Sequence, residues 1–387
     1  MKIAIICSYD FSIAWSLEIF VKKLLLHHKV TVISDMHDGH TPGYYTNIMK
    51  EWGVKHNRVK TYRFINPYQD LKYLITIYTA LRKEEYDLVI NIATKPNIYG
   101  SIAAKLAGVN KIVCFGWGLG LTFEKSKNIG RIILRYILSA LYWYAFKVSD
   151  IVWFTNQNDL DYLASKKIIK PSKAFVTKGF IDTKLYSPNA ILPQESENLK
   201  KKLGYKIEDR VIILVARMSW AKGIKQFCES SDLLRKKYPD VKFLMVGQSD
   251  SGSLDSVPES YINSYEHYEN FKHLGYRIDI RELYSISYLA VFPSYYREGG
   301  WPRGLIEPMA MGKPVITSDN KHCSAAVIDG YNGLIVPTKD SKALANGIEL
   351  IVNDQALAEK FGRRSREKTL KDLDEEMIMQ ELVKAIL

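Results

Sequence analysis

Cysteine is scarce in this 387-residue chain: Cys7, Cys114, Cys228 and Cys323 lie far apart, with no CxxC pair and no cysteine–histidine spacing. That excludes a zinc finger and a disulfide scaffold, fits a reducing cytoplasm, and leaves no metal site expected. Long apolar runs are missing as well. The N-terminal MKIAIICSYD is apolar only until Asp10, and no run reaches the ~18 residues that a spanning helix needs. The chain is therefore expected neither to carry a cleaved leader nor to be threaded through a bilayer. A G-x-G-x-x-G loop is absent where the first strand ends, at Cys7-Ser8-Tyr9-Asp10-Phe11, which removes the main support for a nicotinamide dehydrogenase. Walker, H-x-E…C-x-x-C and G-x-S-x-G motifs are absent too. P-loop phosphoryl transfer, zinc deamination and serine hydrolysis are left without machinery.

What is there is an ordinary globular composition, 47% hydrophobic and 25% charged, which rules out disorder, collagen and a simple coiled coil. The length suits two domains, each able to bury its own core. The formal net charge is +12, and it is unevenly spread: residues 1–180 hold 25 Lys and Arg against 13 Asp and Glu, while residues 181–387 hold 29 of each. The whole excess sits in the first half. An anionic partner follows for that half, whether nucleic acid, phospholipid headgroups or a phosphorylated substrate; the plain alternative is a basic soluble surface.

Short β-rich apolar runs recur at residues 3–7, 30–34, 88–92, 111–115 and 150–154, with helical spacing between most of them. A second series follows at 211–215, 243–246, 289–292, 315–317 and 333–336. Strands alternating with helices predict parallel sheets covered on both faces, so the fold class is α/β, two Rossmann-like doubly wound domains facing a central cleft. The boundary is expected near 179–188. The predicted domains are 1–180, basic and acceptor-binding, and 189–365, with a helix in 366–387 returning to the first. The segment 131–148, RIILRYILSALYWYAFKV, is apolar nearly all round with basic residues mixed in. The pattern favours a buried helix, and the alternative is a helix lying in a membrane interface.

Chemistry concentrates in the second half. In VIILVARMSWAKGIKQF a strand runs into Arg217 and, five residues later, Lys222 before a helix. Two cations beside a helix N-terminus suit a diphosphate; two solvent-exposed loop cations is the alternative reading. In FPSYYREGGWPRGLIEPMAMGKPVIT a strand enters a Gly/Pro-rich loop and then a helix near Gly304 and Leu305, placing Glu298 in the loop and Glu307 in the first helical turn. Such carboxylates can accept hydrogen bonds from sugar hydroxyls; alternatively, Glu307 complements the helix dipole and Glu298 is a solvated loop charge. Spacing alone does not decide.

Taken in order, ARMSWAKG, HLGYRIDI, PSYYREGGWPRGLIEPMAMGKPVIT and DGYNGLIVP resemble the donor half of retaining glycosyltransferases of family 4, which have the GT-B fold. NIATKPNIYGSIAAKLAG and the loop Gly116-Trp117-Gly118-Leu119-Gly120 resemble the branch acting on polyisoprenyl-diphosphate-linked sugars. The resemblance implies that Arg217 and Lys222 bind the nucleotide diphosphate and stabilise the leaving group. It implies that Glu298 lies beside the donor sugar, that Glu307 binds the ribose hydroxyls, that amides around Gly304 and Leu305 face the phosphates, and that Tyr276 and Arg277 occupy the base-binding segment. Lys95, Gly116, Gly118 and Gly120 are the acceptor candidates. The family places seven residues between its glutamates, whereas eight separate Glu298 from Glu307 here, through the extra glycine at 299–300. An added glycine can be absorbed as a bulge.

The function so implied is retaining, metal-independent transfer of a sugar, N-acetylgalactosamine or another hexose, from a UDP-sugar to an undecaprenyl-diphosphate-linked saccharide. The expected partners are the UDP-sugar donor, the lipid-linked acceptor and the anionic inner face of the cytoplasmic membrane, with peripheral location there, no nucleic acid, and no cofactor apart from the sugar nucleotide as substrate. A sugar-nucleotide epimerase of the same architecture and a basic nucleic-acid-binding protein are the alternatives from other classes.

Overall fold

In the computed structural model the described residues are 1–36, 43–62, 65–116, 123, 128–249, 253, 255–299 and 301–387. The chain divides into two compact units, Met1–Thr177 with Glu376–Leu387, and Lys178–Glu375.

The first unit holds β1 (Lys2–Tyr9), β2 (Lys29–Asp35), β3 (Lys55–Arg58), β4 (Leu88–Ile92), β5 (Lys111–Phe115), β6 (Ile151–Phe154) and β7 (Ala174–Val176), in the order β3-β2-β1-β4-β5-β6-β7. Each neighbouring pair is parallel. The order reverses between β1 and β4, and the ligand crevice of such a sheet lies at that switch point, beyond the strands' carboxyl ends.

The second unit repeats the plan with β8 (Arg210–Val215), β9 (Val241–Val246), β10 (Phe271–His273), β11 (Ser287–Phe292), β12 (Val315–Ser318) and β13 (Gly333–Val336), ordered β10-β9-β8-β11-β12-β13 and again parallel, with its switch point between β8 and β11. Period-two alternation builds two cores on one sheet. Val211, Ile213, Leu244, Val246 and Phe292 pack on one face, and Ile212, Leu214, Phe243, Met245 and Val291 on the other. Burial on both faces is why these strands read as unbroken apolar runs.

Two expectations change. The helix Gln355–Asp372 belongs wholly to the second unit, so the expected division at 366 falls inside a helix. The reason is a three-carbonyl grip: Arg366 donates to the carbonyls of Thr183, Tyr186 and Ala310 at 2.8–2.9 Å. Only the helix Glu375–Ile386 carries residues of the first unit, where Glu376 pairs with Lys23.

The segment 131–148 is not buried as its pattern favoured. It forms the helix Ile129–Val148, in which Tyr142, Ala145 and Phe146 are buried, while Ile129, Ile133, Tyr136, Ile137, Trp143 and Tyr144 are exposed. Its apolar residues exceed what one side of the sheet can cover. Among the described residues no helix is long and apolar enough to cross a membrane.

Candidate active site

In the second unit the switch point is assembled from tight backbone. Ala216 and Met218, just past β8, donate to the carbonyls of Val246 and Gln248 at 3.0 Å each. The loop can lie this close because Gly247 has φ +139° and its missing Cβ would stand 1.8 Å from the Ala216 oxygen. A short 3₁₀ turn, Trp220–Lys222, then ends at Gly223. The Ala221 carbonyl accepts from the amides of Tyr295 and Tyr296 at 2.8 and 3.0 Å, tying this turn to the loop after β11.

That tie brings Lys222 to Glu298. The Lys222 Nζ donates to both carboxylate oxygens, at 2.5 and 2.7 Å, and the two residues are only 8% and 7% exposed. Ser294 Oγ donates to Oε1 at 2.7 Å, and the Tyr296 ring lies 4.7 Å from Nζ. Asn320 Nδ2 holds the Ser294 and Tyr296 carbonyls at 3.2 and 2.7 Å. Buried beside the pair, the Cys323 thiol is pushed up by desolvation and by the Glu298 charge, so it stays a neutral thiol. The solvated-charge alternative therefore fails for both Lys222 and Glu298. Arg217 differs: it is exposed on the loop following β8.

The helix Arg303–Ala310 starts where Gly304 meets the ends of β8 and β11, since a Cβ there would lie 2.5 Å from the Val215 oxygen and 2.9 Å from the Phe292 ring. Glu307 is its fifth residue, so it is not in the first turn and does not serve the dipole. Its carboxylate is buried and accepts from Arg303 Nε at 2.7 Å. Burial first, then the Glu307 charge, push the hydroxyls of Tyr186 and Tyr284 up. The Leu305 amide is not directed outward as the sequence suggested. It donates to the Pro302 carbonyl at 2.9 Å, and the Leu305 side chain is in the core; the 3₁₀-type bond at the helix start takes up the amide. Tyr276 is 53% exposed after β10. Arg277 makes a fork with Asp279, Nε to Oδ1 at 2.7 Å, which raises the arginine and lowers the carboxyl.

The first unit has its own lysine–carboxylate pair at its switch point. Ala93, just past β4, holds φ +84°, a strained conformation for a side-chain-bearing residue. It leads into a π-helical turn, Pro96–Gly100. Lys95 Nζ donates to Asp70 Oδ1 at 2.5 Å, with both side chains nearly buried. Asp70 and burial together push the Tyr99 hydroxyl up to about 12, burial contributing more. Gly116 packs under Phe154, whose ring would be 2.6 Å from a Cβ. Gly118 and Gly120 lie outside the described residues, as does Gly300 of the lengthened loop.

Sequence reasoning missed Ser294, Asn320, Asp70 and Arg303. For the first three no local signal exists, because each partner lies 24–26 or 4 residues away in an irregular loop or on another element. Arg303 was readable, since it stands four residues before Glu307 on a helix. Among the described residues no group of three or more His, Cys, Asp or Glu is placed to hold a metal.

Each of the two parallel sheets thus carries a lysine–carboxylate pair at its switch point, where open α/β sheets bind their ligands. The chain belongs to the glycosyltransferases of the GT-B fold: the family described as "Glycosyl transferases group 1" matches residues 195–368, and "Glycosyl transferase 4-like" matches residues 7–156. It is 28% identical over 345 residues to the N,N'-diacetylbacillosaminyl-diphospho-undecaprenol alpha-1,3-N-acetylgalactosaminyltransferase of Campylobacter jejuni, covering 88% of this chain and 87% of that protein. It is 26% identical over 298 residues to the UDP-Gal:alpha-D-GlcNAc-diphosphoundecaprenol alpha-1,3-galactosyltransferase of Escherichia coli, covering 76% and 74%. The crystal structure of Anabaena HepE in complex with UDP and glucose shares the fold with a TM-score of 0.79 at 19% identity, covering 100% of this chain and 99% of that one.

Proposed function

We propose that this glycosyltransferase moves a sugar, N-acetylgalactosamine in the first instance, from a UDP-sugar to a hydroxyl of an undecaprenyl-diphosphate-linked saccharide, with retention at the anomeric carbon and without a metal or further cofactor. The observation that carries the reading is the buried Lys222–Glu298 pair at the β8–β11 switch point, with Arg217 on the adjoining loop. The names of the Campylobacter and Escherichia relatives supply the acceptor class, and the UDP-Gal in the Escherichia relative's name supplies the choice of uridine nucleotide.

In this reading the diphosphate lies against Lys222 and Arg217, the sugar beside Glu298, the ribose on Glu307, and the base along Tyr276 and Arg277. Breaking the bond between the anomeric carbon and the phosphate oxygen puts negative charge on the diphosphate. Preorganised cations stabilise that charge most where water is excluded, as around the nearly buried Lys222. Retention requires the acceptor oxygen to bond on the face the phosphate leaves, so the departing phosphate oxygen takes the acceptor's proton and the charges balance. Lys95, Gly116, Gly118 and Gly120 serve the acceptor side.

The exposed face of the helix Ile129–Val148 suits a peripheral position on the inner face of the cytoplasmic membrane. Arg131, Arg135 and Lys147 accompany its apolar side chains, and it contains no Asp or Glu. Near its end a cavity of about 450 Å³ is lined in part by Trp143, Lys147, Lys167 and Lys170. Aromatic and basic residues side by side match a headgroup layer of anionic lipid.

The test is thermal stabilisation by UDP, GDP and NADH at equal concentration, followed by transfer assays with UDP-sugars in the presence of EDTA. A shift with UDP alone and transfer that survives chelation are expected. A shift with GDP alone would redirect the donor to a mannosyl or fucosyl nucleotide, and complete loss of transfer in EDTA would sink the metal-free mechanism.

A further inference from the structure

Arg303 sits where helix energetics argue against it. A cation in the first turn opposes the helix dipole, and on a helix the stabilising order places the acid before the base, whereas here Arg303 precedes Glu307 by four residues. The pair is also asymmetric. The Glu307 side chain is 7% exposed and the Arg303 side chain 40%, so the guanidinium is the solvent-facing partner of a buried carboxylate. Arg303 lies 5.9 Å from the centre of the Tyr186 ring, and Tyr186 in turn rests on the segment that Arg366 grips. The helix start itself cannot shift, because Gly304 is wedged against Val215 and Phe292. Every element around Glu307 is thus fixed, and Arg303 Nε holds Oε1 at 2.7 Å.

We propose that Arg303 is a positioning residue for nucleotide recognition: it holds the Glu307 carboxylate turned so that it accepts a hydrogen bond from the 2′-hydroxyl of the donor's ribose, and thereby sets the discrimination of ribose from 2′-deoxyribose. This rests on the donor reading given above. Without the Arg303 Nε donor at 2.7 Å the Glu307 carboxylate loses the partner that fixes its orientation, and a carboxylate turned away offers no acceptor to the hydroxyl. Arg303 acts through Glu307, so its contribution is confined to ligands that carry the hydroxyl.

The experiment measures binding of UDP and 2′-deoxy-UDP by titration calorimetry to the full chain and to Arg303→Ala, Arg303→Lys, Glu307→Gln and Arg303→Ala/Glu307→Gln. The parent is expected to prefer UDP by about tenfold, the value of a hydrogen bond to a charged group. Arg303→Ala is expected to bring UDP close to the affinity of 2′-deoxy-UDP while leaving the latter nearly unchanged. Arg303→Lys keeps the charge without the planar fork and is expected to restore part of the preference. The double variant is expected to match Glu307→Gln alone, since both changes remove one interaction. Equal weakening of both nucleotides by Arg303→Ala would mean that it meets the phosphates or base, and unchanged affinities would make the pair a surface feature; either overturns the proposal. If alanine prevents folding, Arg303→Lys against the parent decides by the same ratio. A parent that binds neither nucleotide overturns the donor reading itself, a result distinct from those.

Discussion

Lys222 and Glu298 are 76 residues apart in sequence, yet the ammonium of one donates to both carboxylate oxygens of the other, at 2.5 and 2.7 Å, with both residues nearly buried. A buried pair of this kind contributes little net stability while intact, but removing one partner strands a charge. Under the proposed function an incoming diphosphate would offer the lysine a second anion without requiring it to be desolvated anew.

Glu298→Gln is therefore expected to destabilise the protein by about 3–5 kcal/mol, the cost of an uncompensated buried charge. Saturating UDP is expected to restore more of the melting temperature in the variant than it adds to the parent, because the stranded lysine then regains an anionic partner. Equal UDP shifts in both proteins would argue against phosphate at Lys222. On the kinetic side, Lys222→Met and Arg217→Met should lower kcat more than they raise KM; a rise in KM alone would make the cations anchors of the ground state.

The helix Ile129–Val148 gives a second prediction. Ile133 and Ile137 are 54% and 53% exposed, so replacing both by glutamate is expected to leave the melting temperature nearly unchanged. Burying one such side chain in a bilayer interface stabilises by roughly 1.5–3 kcal/mol, so cosedimentation with phosphatidylglycerol vesicles should fall at least tenfold. The parent should ignore phosphatidylcholine vesicles. Equal sedimentation of parent and variant, or equal affinity for neutral vesicles, would remove this helix from the membrane reading.

Lys313 carries a pH dependence of stability. Its Nζ donates to the Ser285 carbonyl at 2.9 Å, and burial, with the Lys200 charge adding to it, lowers its pKa to about 8. In the unfolded chain the group titrates near 10.5, so between these values the unfolded state binds more protons and stability rises with pH. Below about pH 8 the charge is held in both states and the burial penalty is constant. Unfolding of the parent and of Lys313→Met, followed from pH 7 to 10, should show the parent gaining on the variant as pH rises; parallel curves would refute the shift.

Much of this fold was readable because strands buried on both faces must be apolar throughout. The runs at 211–215 and 88–92 correspond to β8 and β4 almost to the residue. The three strands that escaped, β3, β7 and β10, are edges of three or four residues, and β3 is Lys-His-Asn-Arg, with no apolar residue at all. An edge strand is held by backbone pairing with one neighbour, which leaves little trace in side-chain pattern. In the site, spacing named Lys222 and Glu298 separately, but their meeting depends on the Ala221 carbonyl tying two loops together. Lys95 was readable as a cation in a turn, while Asp70, its partner, comes from a helix 25 residues earlier. The exposure of Ile133 and Ile137 was hidden for the opposite reason: apolar residues usually mean core, and an exposed apolar side looks the same in sequence.

The crossing segments have a consequence for how such a chain can change over time. Ile181 donates to the Leu373 carbonyl at 2.9 Å, and Glu375 donates to the Ile181 carbonyl at 3.0 Å, so the entrance and exit of the second unit run side by side. The unit is in effect an insertion into the first, with its two ends already joined by hydrogen bonds. Replacing it wholesale leaves the host only a short gap to close, between Thr177 and Glu376, at small entropic cost. A gene encoding this architecture can therefore acquire a different second unit by exchange of one cassette while the first unit is inherited unaltered.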